Sequence, residues 1–82
     1  MKTLIKNETN LSLYVFDDGI ELSIGSDNIV TPKFIISDLN SSNTTLIEGV
    51  TPPEDWVGCK YTYANSVWVL NSAWVEAGEA GA

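Results

Sequence analysis

Histidine and arginine are both missing from this 82-residue chain, and cysteine and methionine occur once each. Without histidine no Ser-His or Cys-His pair can form, which excludes the commonest activated nucleophiles. A closed zinc site would have to be built from carboxylates and one thiolate, an uncommon ligand set. A single cysteine excludes an intrachain disulfide. Positive charge is scarce as well: Lys2, Lys6, Lys33 and Lys60 stand against eleven acids, for a formal net charge of −7. So acidic a chain repels the phosphates of nucleic acids and anionic lipid headgroups, so neither nucleic acid nor a membrane is an expected partner. No apolar run reaches the length of a transmembrane helix, and the opening MKTLIKN lacks the apolar core of a signal peptide. Synthesis and retention in a cytoplasm is the expectation.

What remains is a small chain that must fold on apolar burial alone. A domain of this size buries only about 60% of the surface that its unfolded chain exposes. With no disulfide and no metal to staple it, self-association is the expected further source of stability, as a homo-oligomer of two or three copies.

The apolar residues come in short runs of strand character separated by turn residues, and no window sustains a helical period. Leu4-Ile5, flanked by Lys2 and Lys6, suits a short edge strand. In residues 11–16 the aliphatic set Leu11, Leu13, Val15 alternates with Ser12, Tyr14, Phe16, and the aliphatic set is expected to face the core. Asp17-Asp18-Gly19 has the composition of a hairpin loop with a left-handed glycine, leading into the amphipathic run Ile20, Leu22, Ile24. Residues 33–37 form a short apolar run that fits a strand buried on both faces. Residues 38–43 are a loop rich in Asp, Asn and Ser, and residues 44–48 a further strand. The expected fold is therefore all-β, a small antiparallel sandwich or barrel-like sheet of about five to seven short strands. One domain spans residues 1–75, and the Gly- and Ala-rich residues 76–82 form a flexible tail.

Residues 51–70, TPPEDWVGCKYTYANSVWVL, hold two of the three tryptophans, two of the three tyrosines and the one cysteine. Pro52-Pro53 stiffens a turn, since neither nitrogen can donate to a sheet. Glu54 and Asp55 follow, where at most one helical turn is expected. Alternation through Cys59, Tyr61 and Tyr63, a turn at Asn65-Ser66, and the β-branched and aromatic residues 67–70 together spell a hairpin. A two-residue loop sets Tyr63 opposite Trp68; a three-residue loop sets Thr62 there instead.

Phe34-Ile35-Ile36, the Asn40 to Asn43 stretch, Thr51-Pro52-Pro53, Trp56, Gly58, Lys60-Tyr61 and Trp68 together resemble small uncharacterised proteins of tailed bacteriophages of marine bacteria, cyanophages included. The resemblance covers the last two thirds of the chain, and YVFDDG nearer the start fits it loosely. It implies a virion-associated or accessory phage protein, located in the host cytoplasm during infection or in the virion, with other virion or host proteins as partners. That family carries no assigned chemistry, so no functional residue follows from it.

The remaining constellations have plain structural explanations. Asp17-Asp18-Gly19 lacks the further oxygen ligands of a calcium loop. Glu54 and Asp55 beside Trp56 suggest paired carboxylates near a sugar platform, but neighbours in a turn rarely reach the geometry of acid-base catalysis. Cys59 has no base to activate it and is expected to be a small buried hydrophobe. No catalysis, cofactor or metal is expected. The aromatic residues Trp56, Tyr61, Tyr63 and Trp68 are the candidate site, because so small a core cannot hold them all. They point to a protein-contact surface, or alternatively to a carbohydrate-binding module recognising host-surface glycan.

Overall fold

The protein is seen here as a computed structural model, which describes residues 1–74. The expected tail over 76–82 lies outside these residues. The fold is all-β, with no helix among the described residues. Its strands are β1 (Lys2–Lys6), β2 (Ser12–Phe16), β3 (Ser23–Ile24), β4 (Ile29–Val30), β5 (Ile35–Ile36), β6 (Thr44–Glu48), β7 (Tyr61–Ala64) and β8 (Val67–Leu70). They form three small antiparallel sheets, ordered β2-β1-β6, β3-β4-β5 and β7-β8. Three of the eight strands hold only two residues each, which is why the count exceeds the five to seven expected.

The first strand is central rather than at an edge. Lys2 and Lys6 flank β1, yet β2 pairs on one side of it and β6 on the other. Leu4 lies between Tyr14 and Leu46, and these three pack with the buried Ile29, Ile36 and Leu39 into the main core. Alternation places Thr3 and Ile5 on the opposite face of the same strand, where both are buried as well.

The register of β1 against β2 slips between Leu4 and Ile5: Leu4 pairs with Tyr14, but Ile5 pairs with Ser12. Leu13 is the extra residue of a β-bulge. It breaks the simple alternation, so Tyr14 joins Leu4 on the core face while Ser12 joins Thr3 and Ile5 on the other. The aliphatic set of residues 11–16 therefore does not own the core face: Tyr14 and Phe16 pack on the core cluster alongside Leu13.

Two further expectations change. Residues 17–19 do not turn β2 back on its successor, because β2 pairs with β1. Ile20 N donates to Asp17 O in a turn, and Gly49, not Gly19, takes the left-handed backbone, with φ +70°. The run at residues 33–37 shrinks to β5, where Ile36 is buried but Ile35 is 61% exposed. It is an outer strand of its sheet, with one face in the core.

Candidate functional site

The segment between β6 and β7 docks on the bulge in β2. Trp56 N donates to Pro53 O at 3.0 Å, closing the turn that the two prolines stiffen. Beyond it, Gly58 passes so close to β2 that a Cβ there would lie 3.0 Å from Leu13 O. Cys59 N donates to Ser12 O at 2.9 Å. Cys59 adopts φ +70° and is exposed. The expected buried cysteine is thus a turn residue, because the strand and its alternation begin only at Tyr61.

Trp56 reaches into the sheet. Its Nε1 donates to Ser12 Oγ at 2.9 Å, Ser12 Oγ lies 2.7 Å from Thr3 Oγ1, and Thr3 Oγ1 donates to Tyr14 O at 2.8 Å. Each hydroxyl has one proton. Thr3 spends its own on Tyr14 O, so Ser12 must donate to Thr3 and accept from the indole. Thr3 and Ser12 are fully buried, and the three bonds form a directed chain that leaves neither hydroxyl unsatisfied.

Asp55 closes the outer side of the segment. Its Oδ1 accepts from Tyr61 Oη at 2.8 Å and its Oδ2 from Lys60 Nζ at 3.0 Å. The Lys60 side chain is mostly buried while Asp55 is exposed, so the lysine lays its stem under the turn and keeps its charge paired at the rim. The Tyr61 hydroxyl and then the Lys60 ammonium hold the Asp55 carboxyl below the usual carboxylate value.

Residues 61–70 form the hairpin with the two-residue loop. Asn65 and Ser66 have φ of 52° and 64°, the pair of left-handed residues that a type I′ turn requires. Tyr63 consequently sits opposite Trp68, and Tyr61 opposite Leu70. All four share one face. The Tyr63 and Trp68 rings lie 4.6 Å apart at 55°, and Tyr61 meets Trp68 edge-on at 6.5 Å and 90°. Asn71 locks the base of the hairpin: its N donates to Lys60 O and its Nδ2 to Cys59 O. The other edge of β7 reaches the body through Tyr63 N donating to Asn10 O and a bridge from Leu11 to Thr62.

Of the four candidate residues, then, the hairpin gathers Tyr61, Tyr63 and Trp68 into one half-buried cluster, and Trp56 serves as an anchor with its ring N–H committed to Ser12. Around the cluster Val67, Val69 and Leu70 are 54%, 55% and 55% exposed. No charge occurs from residue 61 to residue 75, the longest uncharged run in the chain.

A second aromatic group was not singled out from sequence. Tyr14, Phe16 and Phe34 lie 5.9–6.4 Å apart, and Phe16 and Phe34 help line a cavity of about 280 Å³ with Met1, Ile20, Pro32 and Lys33. The alternating Tyr14 and Phe16 were the available signal; the join to Phe34 depends on the packing of β2 against the β3-β4-β5 sheet. Most of its lining is apolar, with Asp17 and Lys33 as the charged residues on its wall. Thr31 Oγ1, the hydroxyl on its wall, is tied to the Phe34 backbone. Among the described residues no three His, Cys, Asp or Glu side chains gather as a metal site, and no helix is long and apolar enough to cross a membrane.

No protein-family model, no curated protein and no solved structure matches the chain.

Proposed function

We propose that this chain is a non-enzymatic module that works by protein contact, with the β7-β8 hairpin as its contact surface. The observation that carries the reading is the hairpin itself. In a chain of net charge −7 it is free of charge, holds Tyr61, Tyr63 and Trp68 on one face, and leaves Val67, Val69 and Leu70 more than half exposed. Aromatic enrichment with depletion of charge is the composition of the buried centre of a protein interface. The acidic remainder suits the rim and keeps the module soluble. The setting we propose, a structural or accessory protein of a marine tailed phage, rests on the sequence resemblance over the last two thirds of the chain.

The rival reading is a glycan-binding module, and the ring geometry favours it less. Sugar stacking uses an open, flat ring, whereas these rings meet at 55° and 90° and cover one another. The Tyr61 hydroxyl, a natural sugar contact, is spent on Asp55. The test is an array of bacterial surface glycans probed with the protein and with Trp68→Ala, each checked for folding by circular dichroism. The expected result is no binding that depends on Trp68. Reproducible glycan binding, abolished by Trp68→Ala in a folded protein, would overturn the protein-contact reading.

A further inference from the structure

We propose that the cavity beside Phe16 and Phe34 binds a small zwitterion with one apolar arm, an apolar α-amino acid being the simplest of the class, with its carboxylate on Lys33 and its ammonium on Asp17. The site shares no residue with the β7-β8 hairpin. It therefore goes beyond the protein-contact reading and does not rest on it.

Two turns build the site. In the first, Thr31 N and Thr31 Oγ1 both donate to Phe34 O, each at 2.9 Å, and Thr31 Oγ1 accepts from Lys33 N at 3.2 Å and from Phe34 N at 2.9 Å. Pro32 fixes its own φ within the same turn. Thr31 is buried, so the turn that carries Lys33 and Phe34 is held from within. In the second, β2 ends at Phe16 and Asp17 opens a turn in which Ile20 N donates to Asp17 O at 3.0 Å. Both turns are set before a ligand arrives, which lowers the ordering cost of binding.

Size and lining determine the apolar arm. The cavity measures about 280 Å³. A dry apolar cavity of about 150 Å³ already accepts benzene, so this one admits an aromatic ring with a short chain. Val15, Phe16 and Ile20 line it, and Phe34 on its wall is left 44% exposed. That ring is apolar surface for a ligand's arm to cover.

Charge determines the rest. Asp17 and Lys33 line the same cavity, yet neither has an ion-pair partner among the described residues. The Met1 ammonium, also at this cavity, is already held: it lies 2.9 Å from Asp18 Oδ1 and donates to Val50 O at 3.1 Å. Two opposite charges therefore stand unpaired on the wall of an apolar cavity. An anion would pair with Lys33 but meet Asp17 and a chain of net charge −7, and a cation would pair with Asp17 but meet Lys33. A zwitterion satisfies both, and it carries no net charge for the field of the chain to oppose.

The test uses three probes that share one ring: L-phenylalanine, hydrocinnamate, which lacks the ammonium, and phenethylamine, which lacks the carboxylate. Titrated into isotope-labelled protein and followed by amide NMR, L-phenylalanine should bind in the millimolar range and shift residues 16–20, 31, 33 and 34 rather than 61–70. Each missing charge should weaken binding about two- to fivefold, the scale of one partly exposed ion pair. Asp17→Asn should shrink the advantage of L-phenylalanine over hydrocinnamate, and Lys33→Met its advantage over phenethylamine. Both residues are exposed, so neither change touches the core, and circular dichroism checks that each variant folds. Trp68→Ala, outside the site, should bind L-phenylalanine as the parent does. No saturable shift at millimolar L-phenylalanine, equal binding of the three probes, shifts centred on the hairpin, or advantages unchanged in the two folded variants would each overturn the proposal.

Discussion

Trp56 and Ser12, 44 positions apart, are joined by an indole N–H that donates at 2.9 Å to a fully buried hydroxyl. Through Thr3 the same chain of bonds ends on Tyr14 O, so the loop that leads into the hairpin is fastened to the central sheet. Trp56→Phe keeps an aromatic ring but removes the nitrogen-bearing half of the indole and its donor, at an expected cost of about 1–3 kcal/mol. Ser12→Ala strands the indole N–H and removes the donor to Thr3, at about 1–3 kcal/mol. Because the two share a bond, the double variant should lose less than the sum of the singles. Urea denaturation of the four proteins measures this; strict additivity would show that the bond contributes nothing.

Gly58 is required by proximity rather than by backbone angle. A Cβ placed there would stand 3.0 Å from Leu13 O, and the neighbour is a bulged main chain held by the sheet, not the end of a flexible side chain. Gly58→Ala should therefore destabilise the protein by about 1–3 kcal/mol, a fall of roughly 4–8 °C in Tm per kcal/mol. Gly19→Ala, where a Cβ meets open space, is the control and should leave Tm within about a degree or two of the parent, within the usual range of surface substitutions.

Local pattern and local turn chemistry were legible in the sequence. Residues 44–48 form a strand as their composition indicates, bounded by Asn43 and by Gly49 with its positive φ. The hairpin of β7 and β8 was legible too, and its two open registers were separated only by the left-handed angles at Asn65 and Ser66. What escaped was non-local. Lys2 and Lys6 mark β1 as an edge until β6, some forty residues on, pairs beside it. The Leu13 bulge leaves no local signature, yet it moves Ser12 to the face where Trp56 finds it. Cys59 shows the same failure at short range: alternation extended from Tyr61 and Tyr63 buries it, but its positive φ places it in the turn before the strand.

The pH dependence of the hairpin base follows from Asp55. Its carboxyl lies below the usual value because Tyr61 Oη and, next, Lys60 Nζ favour the charged form. A folded value below the unfolded one contributes stability that is fully present above the unfolded value, about 3.9, and is lost as pH falls through the folded value. Tyr61→Phe removes the larger cause, so the Asp55 titration midpoint should rise toward the ordinary range. Carboxyl-carbon NMR titration of both proteins tests this; an unchanged midpoint would show that the Tyr61 hydroxyl does not contribute to the shift.

The turn at Asn65-Ser66 offers a stabilising substitution. Both residues take positive φ, 52° and 64°, and asparagine visits that region readily while serine does so with a steric penalty of its Cβ. Asn-Gly is the sequence that best fits a type I′ turn. Ser66→Gly relieves strain in the folded state but adds freedom to the unfolded chain, which offsets part of the gain. The expected net effect is a stabilisation of about 0.5–1 kcal/mol, since the left-handed penalty for a residue with a Cβ is roughly 1–2 kcal/mol. Ala64→Gly, within β7 and not at a positive φ, lacks that relief and should destabilise by roughly 0.5–1 kcal/mol. Thermal melts followed by far-ultraviolet circular dichroism compare the two, and near-ultraviolet signals report whether Tyr63 and Trp68 keep their 4.6 Å contact. A Ser66→Gly protein that melts below its parent would show that the hairpin does not turn through the two left-handed residues on which the Tyr63-Trp68 register depends.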